Sequence, residues 1–220
     1  MRRPEPDPPP DPLVSALVND DLLGEFEAGG RPLVRVYEPA EVWVVLGAGR
    51  KSEEDVYPEK AAADGVPLRK RRGGGGTVVL SPGQAVLALV TEVASPFHNR
   101  EYFRAINHWF REALAGLGVP SDLVQDRGIS DLAMGERKIL GTSLYRRRRI
   151  LFYQGSLLVE NDLALFDRYL RFPSRVPDYR RGRGHGEFCT TLAREGYAVP
   201  VSRVIETLQQ VARERLPQLA

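Results

Sequence analysis

The chain holds one cysteine, Cys189, in 220 residues. A lone thiol excludes an internal disulfide, a zinc site built on two thiolates and any Cys-x-x-Cys redox pair. Its plainest reading is a buried small hydrophobe. Long apolar runs are also missing. The longest clear run, 85–90, is strand-sized and far short of the roughly 18 residues that suggest a membrane helix. Charge of one sign is not in excess: 31 Lys and Arg against 29 Asp and Glu leave +2, which argues against a protein devoted to nucleic acid. Arg2-Arg3 is followed by prolines and acids where a secretory signal would place an apolar core. No secretory signal and no membrane partner are expected, and the expected compartment is the cytoplasm. The three histidines, His98, His108 and His185, show no metal-ligand spacing.

What is present is an ordinary globular composition, 42% hydrophobic and 27% charged. Residues 1–12 are Pro-rich and acidic around Pro8-Pro9-Pro10 and read as an extended tail. Residues 13–220 read as a single domain. Periodicity and breakers predict helices over 13–26, 102–117, 162–170 and 201–216. Strands are expected over 33–37 and 42–46, joined by a short turn, and over 77–80 and 85–93. A meander follows over 129–134, 138–145 and 150–159, with an Arg146–Arg149 turn, and 172–186 reads as a long basic loop. Strands in runs with interspersed helices indicate an α+β fold: a mixed, largely antiparallel β-sheet flanked by helices.

The strongest local feature is Lys70-Arg71-Arg72-Gly73-Gly74-Gly75-Gly76-Thr77. Consecutive glycines suit a backbone that turns sharply or approaches a ligand closely, and their N–H groups beside Arg and Lys can cradle an anion. The dinucleotide pattern GxGxxG fails, because Val78 or Val79 falls where its third glycine belongs, and no Gly-Lys dipeptide exists for a Walker A loop. Residue types alone leave two readings open, an anion site and a basic flexible loop. A second constellation runs from Ser130-Asp131 to Lys138-Ile139-Leu140-Gly141-Thr142-Ser143. Asp131 and Lys138 can meet across a hairpin, either as part of a nucleotide site or as an ordinary cross-strand ion pair.

Together with Gln154-Gly155-Ser156-Leu157-Leu158, these motifs resemble the lipoate–protein ligase and octanoyltransferase family, which shares its fold with biotin–protein ligase. The family's Arg-Arg-x-Ser-Gly-Gly-Gly-x-Val is matched by 70–78. Its Lys-Ile/Val-x-Gly-Ser/Thr strand is matched by 138–143, and its His-Gly-Thr/Ser-Leu-Leu by 154–158. Val34-Arg35-Val36-Tyr37 with Val45-Leu46-Gly47 resembles its opening hairpin. The resemblance implies activation of lipoate by ATP and Mg²⁺, then transfer to a lysine of a lipoyl-domain acceptor protein. It implies Lys138 as the catalytic residue. Substrate and nucleotide contacts would come from Arg71, Gly73, Gly74, Gly75, Gly76, Thr77, Val78, Asp131, Gly141, Thr142, Ser143, Gly155 and Ser156. Asp131 is the candidate for contact with Mg²⁺.

Three departures bear on the branch. The family serine is Gly73, and two family histidines fall at Leu80 and Gln154. Octanoyltransferases work through a cysteine thioester, yet no cysteine lies shortly before Lys138 or shortly after 154–158. Cys189 is well downstream, which favours the ATP-dependent ligase so long as that thiol does not fold back into the pocket. Many such ligases carry a further C-terminal domain that assists adenylation, whereas one helix follows the core here. A separate small accessory ligase domain is therefore one expected partner, and a single-domain ligase branch the other reading. The alternatives are an ATP-independent octanoyl or lipoyl transferase, a non-catalytic acyl- or acceptor-binding protein, and, with a poorer motif fit, a biotin ligase. Arg146–Arg149 reads either as a docking patch for an acidic acceptor or as a solvated turn.

Overall fold

The computed structural model describes residues 11–95 and 97–219. The tail expected over 1–12 lies, up to residue 10, outside the described residues. Asp11 is docked: its carboxylate accepts the Leu13 and Ser52 N–H groups, each at 3.0 Å.

Strand β1 (Val14–Leu17) is followed by helix α1 (Asp20–Gly29). The single helix expected over 13–26 is thus divided. Asn19 takes φ 58°, a left-handed conformation that asparagine tolerates better than most residues. Asp20 and Asp21 then open α1, where the positive end of the helix dipole favours them. Gly30 closes the helix at φ 66°, its N–H bonded to the Phe26 carbonyl. Next come β2 (Leu33–Tyr37), β3 (Trp43–Leu46), α2 (Ser52–Asp55), α3 (Pro58–Ala63), β4 (Leu68–Lys70), β5 (Val78–Leu80) and β6 (Gln84–Glu92). Helix α4 (Asn99–Gly116) leads into β7 (Val124–Arg127), β8 (Asp131–Met134), β9 (Arg137–Arg147) and β10 (Ile150–Leu158). Helices α5 (Ala164–Tyr169), α6 (His185–Phe188) and α7 (Val201–Arg215) complete the described chain. None of the helices is long and apolar enough to cross a membrane.

Two sheets result. The larger is antiparallel throughout, in the order β2-β6-β10-β9-β8-β7. The smaller is mixed, β1-β4-β3-β5, with β4 parallel to both of its neighbours. The expected hairpin of 33–37 with 42–46 does not form. β2 and β3 enter different sheets, and the chain around Pro39 crosses between them. Central strand β6 is buried on both faces, so its sequence reads as a continuous apolar run with no alternation. Leu87 and Leu89 face α4 and α7, where Ile106, Phe110, Leu114, Val204 and Leu208 complete the main core. Ala88 and Val90 face α1 on the other side, with Leu22, Leu23 and Phe26. Val86 meets the small sheet through Val45 and Leu80.

The Arg146–Arg149 segment is largely committed to its own surroundings. Arg146 donates to the Ser95 carbonyl at 2.6 Å, Arg147 pairs with Glu27 at 2.8 Å, and Arg149 pairs with Glu92 at 3.2 Å. Arg147 and Arg149 remain more than half exposed at the turn between β9 and β10.

Glycine positions divide by what a side chain would meet. A Cβ on Gly155 would lie 2.9 Å from the Tyr153 hydroxyl and 3.2 Å from Phe110 Cζ, both in the main core. At Gly74 nothing lies within 4 Å. Urea denaturation of Gly155→Ala is expected to show a loss of about 1–3 kcal/mol, and Gly74→Ala a change within about 0.5 kcal/mol.

Candidate active site

A cavity of about 220 Å³ lies between the two sheets. Its apolar walls come from Val18, Val45, Val78, Leu80, Val86 and Leu158. Its polar side is built by β9 and by the segment that runs from α5 to just past α6.

The glycine loop connects β4 to β5 and is stapled by Arg71. Its guanidinium donates to the carbonyls of Val45 (3.3 Å), Gly74 (2.9 Å) and Gly76 (2.6 Å). Burial alone pushes this arginine down to about 10. Gly75 takes φ 97°, which only glycine adopts freely. A Cβ at Gly47 would lie 2.3 Å from the Gly75 carbonyl oxygen, so neighbouring backbone closes on the loop. At its far end Thr77 donates to Asp55 at 2.5 Å, and Asp55 also binds Arg50. Arg71, Gly76, Thr77 and Val78 line the cavity. Gly73, Gly74 and Gly75, also expected at the site, are not among the lining residues: Gly73 is buried, and Gly74 and Gly75 are exposed.

Lys138 is aimed by three features. A bulge in the β8–β9 pairing sets Ala133 opposite Lys138, whereas Leu132 is opposite Leu140. Asp131, two residues from Ala133, therefore shares a face with Lys138, and their side chains meet at 2.8 Å. The other Asp131 oxygen accepts the Tyr179 hydroxyl at 2.8 Å. Gly141 leaves the room this requires, since a Cβ there would sit 3.1 Å from both Cε and Nζ of Lys138. Thr142 donates to the Ser130 carbonyl at 2.9 Å, which Asn107 also binds, so the strand beside Asp131 is fixed from behind. Lys138, Gly141, Thr142, Ser143, Gly155 and Ser156 all line the cavity, and Asp131 supports it from outside. Each Asp131 oxygen already accepts one contact, from Lys138 or from Tyr179, and each keeps a further lone pair that a cation or its water can use. Among the described residues no group of three His, Cys, Asp or Glu side chains converges to hold a metal.

The segment read as a loop over 172–186 carries side chains into the cavity. Arg180, His185, Phe188 and Cys189 line it, none of them assigned a site role by motif. Lys138 and Cys189 form a parallel backbone bridge, and Thr190 N–H donates to the Lys138 carbonyl at 2.9 Å. The thiol thus folds back into the pocket, contrary to the condition that its distance in sequence suggested. Burial pushes it up to about 11. His185 bonds Asp167 through Nδ1 at 3.0 Å, and burial, then Arg180, holds it below its ordinary value, so the ring is neutral at pH 7. The sequence signals for Arg180 and His185 are the basic character of the loop and the resemblance, which marks 175–185 as a loop able to close over the site without saying which of its residues reach it. Gln154, in the place of a family histidine, donates to the Val18 carbonyl at 3.0 Å and ties β10 to the end of β1.

The missing serine has a counterpart across the loop. A Cβ at Gly73 would lie 2.7 Å from Ser143 Oγ and 3.1 Å from the Leu144 nitrogen. Ser143 Oγ is buried with no hydrogen-bond partner among the described residues. Gly73 and Ser143 therefore divide one space. Gly73→Ser is expected to lower stability by about 1–3 kcal/mol through overpacking. Adding Ser143→Ala should recover part of it, with a coupling of about 0.5–3 kcal/mol in a double-mutant cycle followed by denaturation.

Comparison with known proteins agrees with this architecture. The model of the lipoyl protein ligase A/B catalytic domain matches residues 11–213. Lipoate-protein ligase A subunit 1 of Thermoplasma acidophilum is 26% identical over 168 residues, covering 73% of this chain and 63% of the relative. Lipoate–protein ligase 1 of Staphylococcus aureus is 26% identical over 54% of this chain and 35% of its own length. The chain thus spans less than two thirds of these ligases. Octanoyltransferase LipM of Carboxydothermus hydrogenoformans is 25% identical, covering 71% of this chain and 64% of the enzyme. Among solved structures, a lipoate-protein ligase A bound with ATP superposes with a TM-score of 0.73 at 22% identity, covering 93% of this chain and 84% of that one. A bi-partite lipoate protein ligase studied with its E2 lipoyl domain, from T. acidophilum, gives 0.75 at 19% identity, with the same 93% and 84% coverage. With the matched model spanning nearly the whole chain, the protein belongs to the lipoyl protein ligase A/B catalytic domain family.

Proposed function

We propose that this chain is the catalytic part of an ATP-dependent lipoate–protein ligase. The observation that carries the reading is Lys138, held by Asp131 at the polar side of an apolar cavity beneath a stapled glycine loop. In the first step the lipoate carboxylate attacks the α-phosphorus of ATP and pyrophosphate leaves. In the second, the neutral amine of the acceptor's lysine attacks the acyl carbonyl and AMP leaves. Lys138 supplies positive charge at the reacting oxygens and is not consumed. Asp131 and Tyr179 fix its orientation, so little reorganisation accompanies the reaction. The second step is chiefly positioning. No step is assigned to a protein-held metal.

The apolar cavity suits a medium-length acyl chain, and the ligases among the relatives support lipoate as that chain. The acceptor is a lipoyl-domain protein, in keeping with the E2 lipoyl domain of the T. acidophilum system. A separate accessory subunit is a further partner, since one relative is named as a ligase subunit.

One observation favours a second reading. Cys189 lines the same cavity as Lys138, and octanoyltransferases are among the relatives, so a thioester route has its two groups together. Against it, a thiol raised to about 11 by burial holds little thiolate at neutral pH.

Intact-mass spectrometry of an apo lipoyl domain incubated with the protein, lipoate and MgATP separates the two. The ligase predicts an ATP-dependent lipoyl mass gain. Lys138→Ala should slow it by about 10²–10³-fold, and Cys189→Ala should leave it in place. Wild type and Cys189→Ala should also share one pH profile. A thioester route instead makes the rate climb with thiolate as pH rises toward about 11, and Cys189→Ala abolishes it. A mass gain from octanoyl carrier protein that requires Cys189 and no ATP would sink the ligase reading.

A further inference from the structure

The charges that line the cavity do not balance. Among the described residues its one lining carboxylate, Asp55, is already bound to Arg50 and Thr77. Lys138 is balanced by Asp131, and Arg71 directs its donors to three carbonyls. Arg171 and Arg175 also line the cavity without an ion pair among the described residues, but Arg171 is half-buried and donates to the Val56 carbonyl at 2.8 Å, and Arg175 is exposed. Arg180 differs from all of these. It is 4% exposed and lines the cavity, yet among the described residues it forms no ion pair. Its Nε donates to the Arg183 carbonyl at 2.8 Å, while its Nη2 is buried with no partner. The faces of Phe172 and Phe188, 4.8 and 4.9 Å from the guanidinium carbon, hold the plane. An isolated buried cation with an unused donor is costly unless an anion completes it.

Position narrows the anion. Lys138 and Arg180 line the same cavity as Cys189, whose backbone is bridged to that of Lys138. A ligand with two adjacent oxygen centres, an acyl carbonyl and a phosphoryl group, can engage both at once. A guanidinium fork matches phosphate geometry.

We infer that Arg180 binds the anionic phosphoryl oxygen of the activated acyl group, an acyl–phosphate mixed anhydride, while Lys138 holds the acyl carbonyl beside it. This assignment rests on the ligase reading and adds a residue that none of the three motifs contains. It gives the basic segment a chemical role, in which Arg180 reads whether the acyl group has been activated.

Isothermal titration tests it with two probes. One is lipoamide, which carries the acyl chain without an anion. The other is the acyl-sulfamate mimic of lipoyl-adenylate, which carries a negative charge at the phosphoryl position. Arg180→Gln is expected to weaken the mimic on the order of 10–100-fold and to leave lipoamide within about twofold. Arg180→Lys keeps the charge without the fork and should recover part of the loss. Equal weakening of both probes would mean that Arg180 merely holds the segment in place, and would overturn the assignment. So would a mimic bound equally well by wild type and Arg180→Gln, and in that case the ligase reading stands. Wild-type protein that takes lipoamide but not the mimic would overturn the ligase reading itself.

Discussion

A buried guanidinium sets the geometry of everything around the cavity. Four consecutive glycines have the largest conformational freedom a chain can carry, and left alone they would form no surface of fixed shape. Arg71 removes that freedom with bonds to Val45, Gly74 and Gly76, joining the loop to strand β3. The cation is costly to bury, and carbonyl oxygens, not a carboxylate, offset that cost. The loop therefore stays electropositive while it is rigid. A carboxylate partner would have given equal rigidity and cancelled the charge.

A similar arrangement recurs across the cavity. Lys138 is oriented by Asp131, which is oriented by Tyr179, and the Ser130 carbonyl next to Asp131 is held by Thr142 and Asn107. Each link is an ordinary hydrogen bond, but the chain of them runs from the main core to the reacting group. The two sheets supply what these bonds cannot, an apolar wall from β3, β5 and β6 beside which electrostatic effects are screened less than in bulk water.

The sequence made some of this legible and hid the rest for physical reasons. Helices α4 and α7 are long and amphipathic, so periodicity exposed them. The Asp131–Lys138 contact was foreseeable because a hairpin brings such residues together. Helices α2 and α3 and strands β4 and β7 were not foreseen, since three to six residues carry too little periodicity to read. The division of 13–26 turned on Asn19 adopting a left-handed conformation, and the loss of the 33–46 hairpin on which sheet each strand joined. Both are tertiary choices. Which residues of the basic segment enter the cavity, Arg180 and His185, and whether Cys189 folds back into it, were not legible because that path follows no local pattern. The bridge from Cys189 to Lys138 spans a sequence separation that only the folded sheet closes.

That bridge has a topological meaning. One end of the basic segment is fixed where Arg171 N–H bonds the Asp55 carbonyl at 2.8 Å, the other where Thr190 N–H bonds Lys138. Between these points the segment is a closed loop even when its inner contacts part. Its closure entropy is already lost in the native fold, and that cost grows only slowly with length. The inner contacts of the segment, among them the Tyr179 hydroxyl on Asp131 and His185 on Asp167, are therefore made within a loop tethered at both ends instead of by a dangling arm. On the proposed ligase reading, the tether keeps the segment beside Lys138 while an acceptor lysine approaches.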